Sequence, residues 1–152
     1  MMKHLLVALA VVAGGSGFAG SAQAQQKPED VIKYRKAVMT VQAWHMRPMA
    51  LMVKGQQPYD AALFAWYAGV VQQTSFMLPD AFATGSDKGA ATKARPEIWT
   101  DAGKFKQRVD GFQADTAKLV EAAKSGNLEA VRGPFGAVGK NCGGCHESFR
   151  AK

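Results

Sequence analysis

The chain has 152 residues, of which 47% are hydrophobic and 20% charged, and its formal net charge is +7 at pH 7. This length is sufficient for one compact domain with a single hydrophobic core. A positive charge is compatible with nucleic-acid binding, but the lysines are dispersed and aromatic residues are not interleaved with them as a stacking platform. The composition therefore predicts no nucleic-acid partner. The charge fits solubility and steering toward an acidic partner protein.

Residues 1–24 have the features of a secretory signal peptide. Lys3 supplies a positive start, residues 5–13 form a short apolar run, and residues 22–24 read Ala-Gln-Ala, a cleavage site. The apolar run is shorter than the roughly 20 residues that a transmembrane helix needs, so we expect no membrane insertion. Cleavage would leave an exported domain over residues 25–152, which is 128 residues long and has a net charge of +6 once Lys3 is removed.

The first mature helix is predicted to begin near Pro28, a favourable first-turn residue. Residues spaced by three or four then share one helix face; this face comprises Ile32, Arg35, Met39, Ala43, Met46 and Ala50. Pro48 should kink or end the first straight section of the helix. Residues 54–58 are predicted to form a turn.

The second helix is predicted to start near Asp60, whose carboxylate can cap it, and to stop at Pro79. Its apolar residues spread over more than one stripe and include Phe64, Trp66, Tyr67, Val70 and Val71. Burial by both the core and a second subunit would explain this wide arc, and core packing alone would explain it equally well. Residues 80–95 are rich in Gly, Ala, Ser and Lys and are predicted to form a long crossover loop.

The last two helices show the clearest periodicity and predict an all-α, antiparallel helix bundle. In the third helix, opened by Pro96-Glu97, the seam is Ile98, Ala102, Phe105, Val109, Phe112, Thr116, Leu119 and Ala123. In the fourth helix, the seam is Leu128, Val131, Phe135, Val138, Cys142, Cys145 and Phe149. Gly126 and Asn127 between them suit a helix end and a helix cap. Gly133-Pro134 should kink the fourth helix.

The strongest chemical signal is the sequence Cys142-Gly143-Gly144-Cys145-His146, because C-x-x-C-H is the attachment signature of a c-type haem. The two thiols would form thioethers, and His146 would be the proximal iron ligand. A thioredoxin-like dithiol would need a βαβ pattern, and a zinc site needs about four ligands, whereas His45 is the only other histidine after the leader. A disulfide between these two cysteines remains as an alternative in an exported protein. Since both cysteines lie on the predicted seam, a haem anchored there would lie inside the bundle.

Four stretches of the mature chain resemble cytochrome c′, the class II c-type cytochromes. They are residues 27–35, 54–60, 95–99 and 138–150, the last of which contains the haem motif near the C-terminus. The resemblance implies a periplasmic four-helix bundle with one covalent haem c per subunit and a homodimer formed through the first two helices. It further implies a five-coordinate iron with His146 proximal, reversible binding of NO and CO, and electron transfer to a redox partner protein as a second activity.

The resemblance also assigns roles to three further residues. Arg35 falls where the family has an arginine near the haem propionates, and Arg150 falls where it has a basic residue against the proximal imidazole. Either arginine could instead be a solvated charge on a helix face. Met39 falls at the distal position, which is a bulky apolar lid in open members and a methionine ligand in a low-spin branch.

Two functions therefore remain open, a gas-binding haem protein and a six-coordinate electron carrier with Met39 as the sixth ligand. The first-helix pattern Lys-Pro-Glu-Asp with Tyr34-Arg35 resembles the open members, which favours an iron without a distal protein ligand. A peroxidase-like enzyme is disfavoured because no distal histidine and arginine pair is visible on the first helix. We therefore predict that the protein is not an enzyme.

Overall fold

A computed structural model describes residues 26–152, so the signal peptide predicted over residues 1–24 lies outside the described residues. Its helices are α1 Pro28–Val53, α2 Ala61–Ser75, α3 Leu78–Ala81, α4 Glu97–Thr100, α5 Ala102–Ala123 and α6 Leu128–Phe149. The four long helices, α1, α2, α5 and α6, form an antiparallel bundle, which confirms the predicted fold class. No helix in residues 26–152 is both long enough and apolar enough to cross a membrane.

Helix α1 begins at Pro28 as predicted, but it continues through Pro48 to Val53. An interior proline costs a helix about 3 kcal/mol. The turn that follows it, however, buries Met49 and Met52 completely, and burying such a side chain contributes about 1.5–3 kcal/mol. Packing of the last turn against the core therefore offsets the effect of the proline.

The buried face of α1 differs from the predicted face. Ala43 is exposed, and Met39 and Met46 are only half-buried. The stripe that faces the core contains Arg35, Gln42 and Met49, which are spaced by seven residues and so lie on one side of the helix. The predicted face shares Ile32 and Arg35 with the buried side, but it misses Gln42 because a polar residue gives no apolar signal.

Helix α2 has the predicted cap but not the predicted end. The Asp60 carboxylate accepts a hydrogen bond from the Leu63 amide at 2.9 Å. The helix ends at Ser75 rather than at Leu78, and Pro79 lies in the first turn of α3. The prediction that Pro79 stops the second helix is therefore wrong. The N–H groups in the first turn of a helix have no acceptor within that helix, so a proline, which has no N–H, is tolerated there.

The predicted third helix is divided into α4 and α5. The division occurs at Asp101, whose backbone lies outside the helical range (φ −122°, ψ 53°). Its carboxylate accepts a hydrogen bond from the Lys104 amide at 3.3 Å, so the side chain caps α5 instead of sitting within one continuous helix. Beyond Ala102, which is exposed, the predicted seam of α5 faces the core.

Helices α5 and α6 are antiparallel neighbours, as predicted. Gly126 adopts a positive φ of 67° between them, and the Asn127 side chain accepts a hydrogen bond from the Glu129 amide at 2.8 Å. Helix α6 continues through Pro134 to Phe149. The motif cysteines therefore lie in the same unbroken helix that Asn127 caps.

The crossover loop holds the end of α6 in place. Ala94 and Arg150 form an isolated antiparallel bridge. The Arg95 amide donates to the Phe149 carbonyl at 3.0 Å, and the Ala151 amide donates to the Lys93 carbonyl at 2.8 Å. The loop therefore fixes the helix end that carries the C-x-x-C-H motif.

Candidate functional site

An apolar cleft, open to solvent on one side, lies between α1, α5 and α6. It is lined by Met39, Gln42, Leu78, Phe82, Phe105, Arg108, Val109, Phe112, Asn141, Cys142, Cys145 and His146. Both motif cysteines, the motif histidine and Met39 therefore meet at one place. Helix α6 contributes the thiols and the imidazole, and α1 contributes Met39 and Gln42.

Cys142 and Cys145 are half-buried, free thiols that lie three residues apart on α6. Burial raises the pKa of the Cys142 thiol to about 11, and the neighbouring Cys145 adds to that rise. Burial also raises the pKa of Cys145, against the opposing charge of Arg108. Reactive dithiols have lowered pKa values, so this pair does not have the electrostatics of a redox-active C-x-x-C site.

His146 is exposed at the open side of the cleft, next to Cys145 in the chain. Partial burial lowers the pKa of the imidazole, and the charge of Arg150 lowers it further. The lowered pKa favours the neutral imidazole, which is the form that can ligate a metal. Arg150 is exposed, does not line the cleft, and forms a shallow surface depression together with His146.

The residues of the cleft fit a covalently attached haem. Two thiols and a neutral imidazole lie on one wall, and the surfaces beside them are mainly apolar, as a porphyrin requires. A structural zinc would need about four ligands, and no group of three or more His, Cys, Asp or Glu side chains in the described part of the chain is placed to hold a metal ion.

The α1 wall of the cleft contains Met39 and Gln42, three residues apart and so on the same side of the helix. Met39 is half-buried and packs against the hydrophobic core. Gln42 is 9% exposed, and its Nε2 atom has no hydrogen-bond partner among the residues that the structure describes. The α1 side of the cleft therefore contains a half-buried thioether and a buried amide.

Arg35 does not line the cleft. Its side chain is 4% exposed, and its guanidinium donates to Ser86 O at 2.9 Å, Ser86 Oγ at 3.1 Å, Ala81 O at 3.3 Å and Thr92 Oγ1 at 3.3 Å. The guanidinium also lies 4.9 Å from the ring centroid of Phe82, which lines the cleft. Arg35 thus anchors the loop that forms one wall, and the prediction that it contacts the haem stays a prediction.

Sequence reasoning missed four residues of the cleft: Gln42, Phe82, Arg108 and Asn141. Arg108 lies close to the motif, because a Cβ atom built on Gly144 would be 3.2 Å from its Nη1 atom. A signal for Arg108 was available, since it follows Phe105 by three residues and precedes Phe112 by four on the α5 seam. No local signal identifies the other three, whose positions depend on how the helices and the loop pack.

Comparison with known proteins agrees with this geometry. The family model described as cytochrome c′ matches residues 30–150. Cytochrome c′ of Alcaligenes xylosoxydans xylosoxydans is 44% identical over 126 residues, which cover 83% of this chain and 97% of that protein. A nitric oxide complex of a variant of cytochrome c prime from Alcaligenes xylosoxidans superposes with a TM-score of 0.78 at 43% identity, covering 85% of this chain and 99% of that chain. A carbon monoxide complex of another variant gives 0.77 at 44%, covering 83% and 98%. The chain belongs to the cytochrome c′ family.

Proposed function

We propose that the mature protein is a c-type haem protein that binds nitric oxide and carbon monoxide, with one covalent haem per subunit. The observation that carries this proposal is that Cys142, Cys145 and His146 line a single apolar cleft. Cys142 and Cys145 would hold the haem, and His146 would be its proximal ligand. When bound, the haem supplies the iron to which a diatomic gas attaches. The nitric oxide and carbon monoxide complexes of the related proteins support these two ligands.

The distal side of the site is assigned to Met39 as a lid rather than as a ligand. Met39 lines the cleft from α1, whereas His146 lines it from α6, and Met39 packs against the core. A thioether in this place would crowd the iron without bonding to it, so a gas could enter only after Met39 moves. The alternative, a six-coordinate electron carrier with Met39 as the sixth ligand, places the same residue in the same position.

Absorption spectra of the oxidised and reduced protein, with and without carbon monoxide, separate these two functions. We expect high-spin spectra in the absence of added ligand and a clear change when carbon monoxide is added to the reduced protein. A low-spin spectrum that becomes high-spin in Met39→Ala would show that Met39 ligates the iron. The electron-carrier function would then replace the gas-binding function.

A periplasmic location is proposed from the predicted leader and the proposed haem. Residues 1–24 would direct export, and residues 25–152 would form one haem domain in the periplasm, where c-type haems of bacteria are attached. Electron transfer to a redox partner protein is a second proposed activity, with the basic surface steering an acidic partner.

A homodimer formed through α1 and α2 is proposed from the exposed aromatic residues on these helices. Trp44 is 75% exposed and Trp66 58% exposed, which is unusual for side chains of this size. The His45 ring lies edge-on to Trp66 and to Tyr67, with centroid distances of 5.4 and 5.5 Å. This aromatic surface spans both helices, and a second copy of the chain would cover it.

Ligand binding rather than turnover is the proposed activity, and we assign no catalytic reaction to the site. A peroxidase-like reaction would need a distal histidine and arginine pair. The side chains on the α1 wall of the cleft are Met39 and Gln42, neither of which is a general acid or base at neutral pH.

A further inference from the structure

Arg108 is the only arginine or lysine among the described residues that line the cleft. It is exposed on α5, and it forms no ion pair with a carboxylate of residues 26–152. An exposed cation of this kind contributes little to the stability of a fold. The position of Arg108 beside the haem-attachment motif therefore points to a role in the site rather than in the fold.

The guanidinium of Arg108 lies against Gly144, inside the C-x-x-C-H motif. A Cβ atom built on Gly144 would be 3.2 Å from Nη1 and 3.6 Å from Cζ of Arg108, whereas a Cβ atom on Gly143 would have nothing within 4 Å. The missing side chain at Gly144 therefore leaves the space that the guanidinium occupies. Its charge also acts on the next residue, because burial raises the pKa of the Cys145 thiol and Arg108 opposes that rise. A positive charge thus lies beside the second attachment cysteine.

We propose that Arg108 raises the reduction potential of the haem attached at Cys142 and Cys145, and that Gly144 makes room for the guanidinium that does so. This inference rests on the proposed function, because it requires the covalent haem. Oxidised iron carries one more positive charge than reduced iron, so a neighbouring cation destabilises the oxidised form more than the reduced form. Arg108 would act through its charge alone, without binding the iron or the gas.

Reduction potentials of the holoprotein, measured by spectroelectrochemical titration, test the proposal. In Arg108→Met the ratio of reduced to oxidised haem at a fixed potential should fall about threefold, which is about 28 mV for a one-electron couple. Arg108→Lys keeps the charge and should retain most of the potential. Lys124→Met is the matched control, because it removes an exposed positive charge directly after α5, about 24 Å along the helix from Arg108. That distance exceeds the Debye length of about 8 Å at physiological ionic strength, so the control should not change the potential.

A second set of variants tests the contact with Gly144. Gly144→Gln should displace the guanidinium and cause part of the same fall in potential, whereas Gly143→Gln, at a position with open space around the added Cβ, should not. In protein that already carries Arg108→Met, Gly144→Gln should have no further effect. The difference between the unmodified protein and Arg108→Met should also shrink at 1 M salt, where the Debye length is about 3 Å.

Two results would overturn the inference and leave the proposed function intact. One is a holoprotein whose potential is the same in Arg108→Met as in the unmodified protein. The other is an equal fall in Arg108→Lys, which would show that the charge is not the cause. A protein that carries no covalent haem would overturn both the inference and the proposed function.

Discussion

Replacing Arg35 by Met should destabilise the protein strongly, because Arg35 is a buried charge held by the crossover loop. Its pKa is lowered by burial, and it makes no salt bridge with a carboxylate of residues 26–152. Instead, four hydrogen bonds connect it to Ala81, Ser86 and Thr92. The loop between α3 and α4 therefore depends on one side chain of α1.

The size of this effect can be worked out from the groups that lose a partner. The hydroxyl groups of Ser86 and Thr92, which accept hydrogen bonds from Arg35, can rotate toward other partners. Ser86 Oγ already donates to Ala83 O at 2.7 Å. The carbonyls of Ala81 and Ser86 lose a charged donor, and each such bond contributes about 1.5–3 kcal/mol. Removing a buried charge returns part of this free energy. We expect a net loss of about 3 kcal/mol in the free energy of unfolding.

Equilibrium unfolding in urea, followed by circular dichroism, measures this loss. With a urea slope of about 1.5 kcal/mol per M, the midpoint should fall by about 2 M in Arg35→Met. Arg47→Met is the control, because Arg47 is exposed on the same helix and its replacement should change stability by no more than about 0.5 kcal/mol. Equal midpoints for the two variants would refute the anchoring role of Arg35.

Three further predictions concern gas entry, assembly and the backbone. Met39→Ala should speed carbon monoxide binding in flow kinetics while the ligand-free protein stays high-spin, and an unchanged rate would argue against a lid. Trp66→Lys should convert the dimer to a monomer, as measured by light scattering. Ala117→Lys, at an exposed position of α5, should leave the protein a dimer. A monomeric unmodified protein at tens of micromolar would contradict the proposed interface. Gly126→Ala should lower the free energy of unfolding by about 1 kcal/mol because φ is 67° there. Gly139→Ala, with nothing within 4 Å of the added Cβ, should instead raise it by up to about 1 kcal/mol.

Local signals predicted the parts of the fold that depend on neighbouring residues in the chain. The caps formed by Asp60 and Asn127 and the left-handed Gly126 follow from side-chain and backbone preferences of single residues. The α5 seam was also predictable, because its apolar residues alternate at three and four without interruption. The break at Asp101 was missed because Asp can either occupy a helix or cap one, and sequence spacing does not distinguish the two.

The features that sequence did not predict depend on contacts between distant segments. Gln42 is polar but lies on the buried side of α1, so the predicted face, which correctly contained Ile32 and Arg35, continued through Met39 and Ala43 instead. The bridge between Ala94 and Arg150 joins residues more than fifty positions apart. The motif itself identified Cys142, Cys145 and His146 as site candidates, but the α1 side of the cleft could be recognised only once the helices were packed.

The central claim is that Cys142 and Cys145 hold a haem covalently, and the intact mass of the purified protein tests it most directly. The protein should be produced in cells that can attach haem, and acid-acetone extraction should remove any haem that is not covalently bound. We predict the mass of residues 25–152 plus one haem. A mass equal to that of the bare polypeptide would contradict the claim.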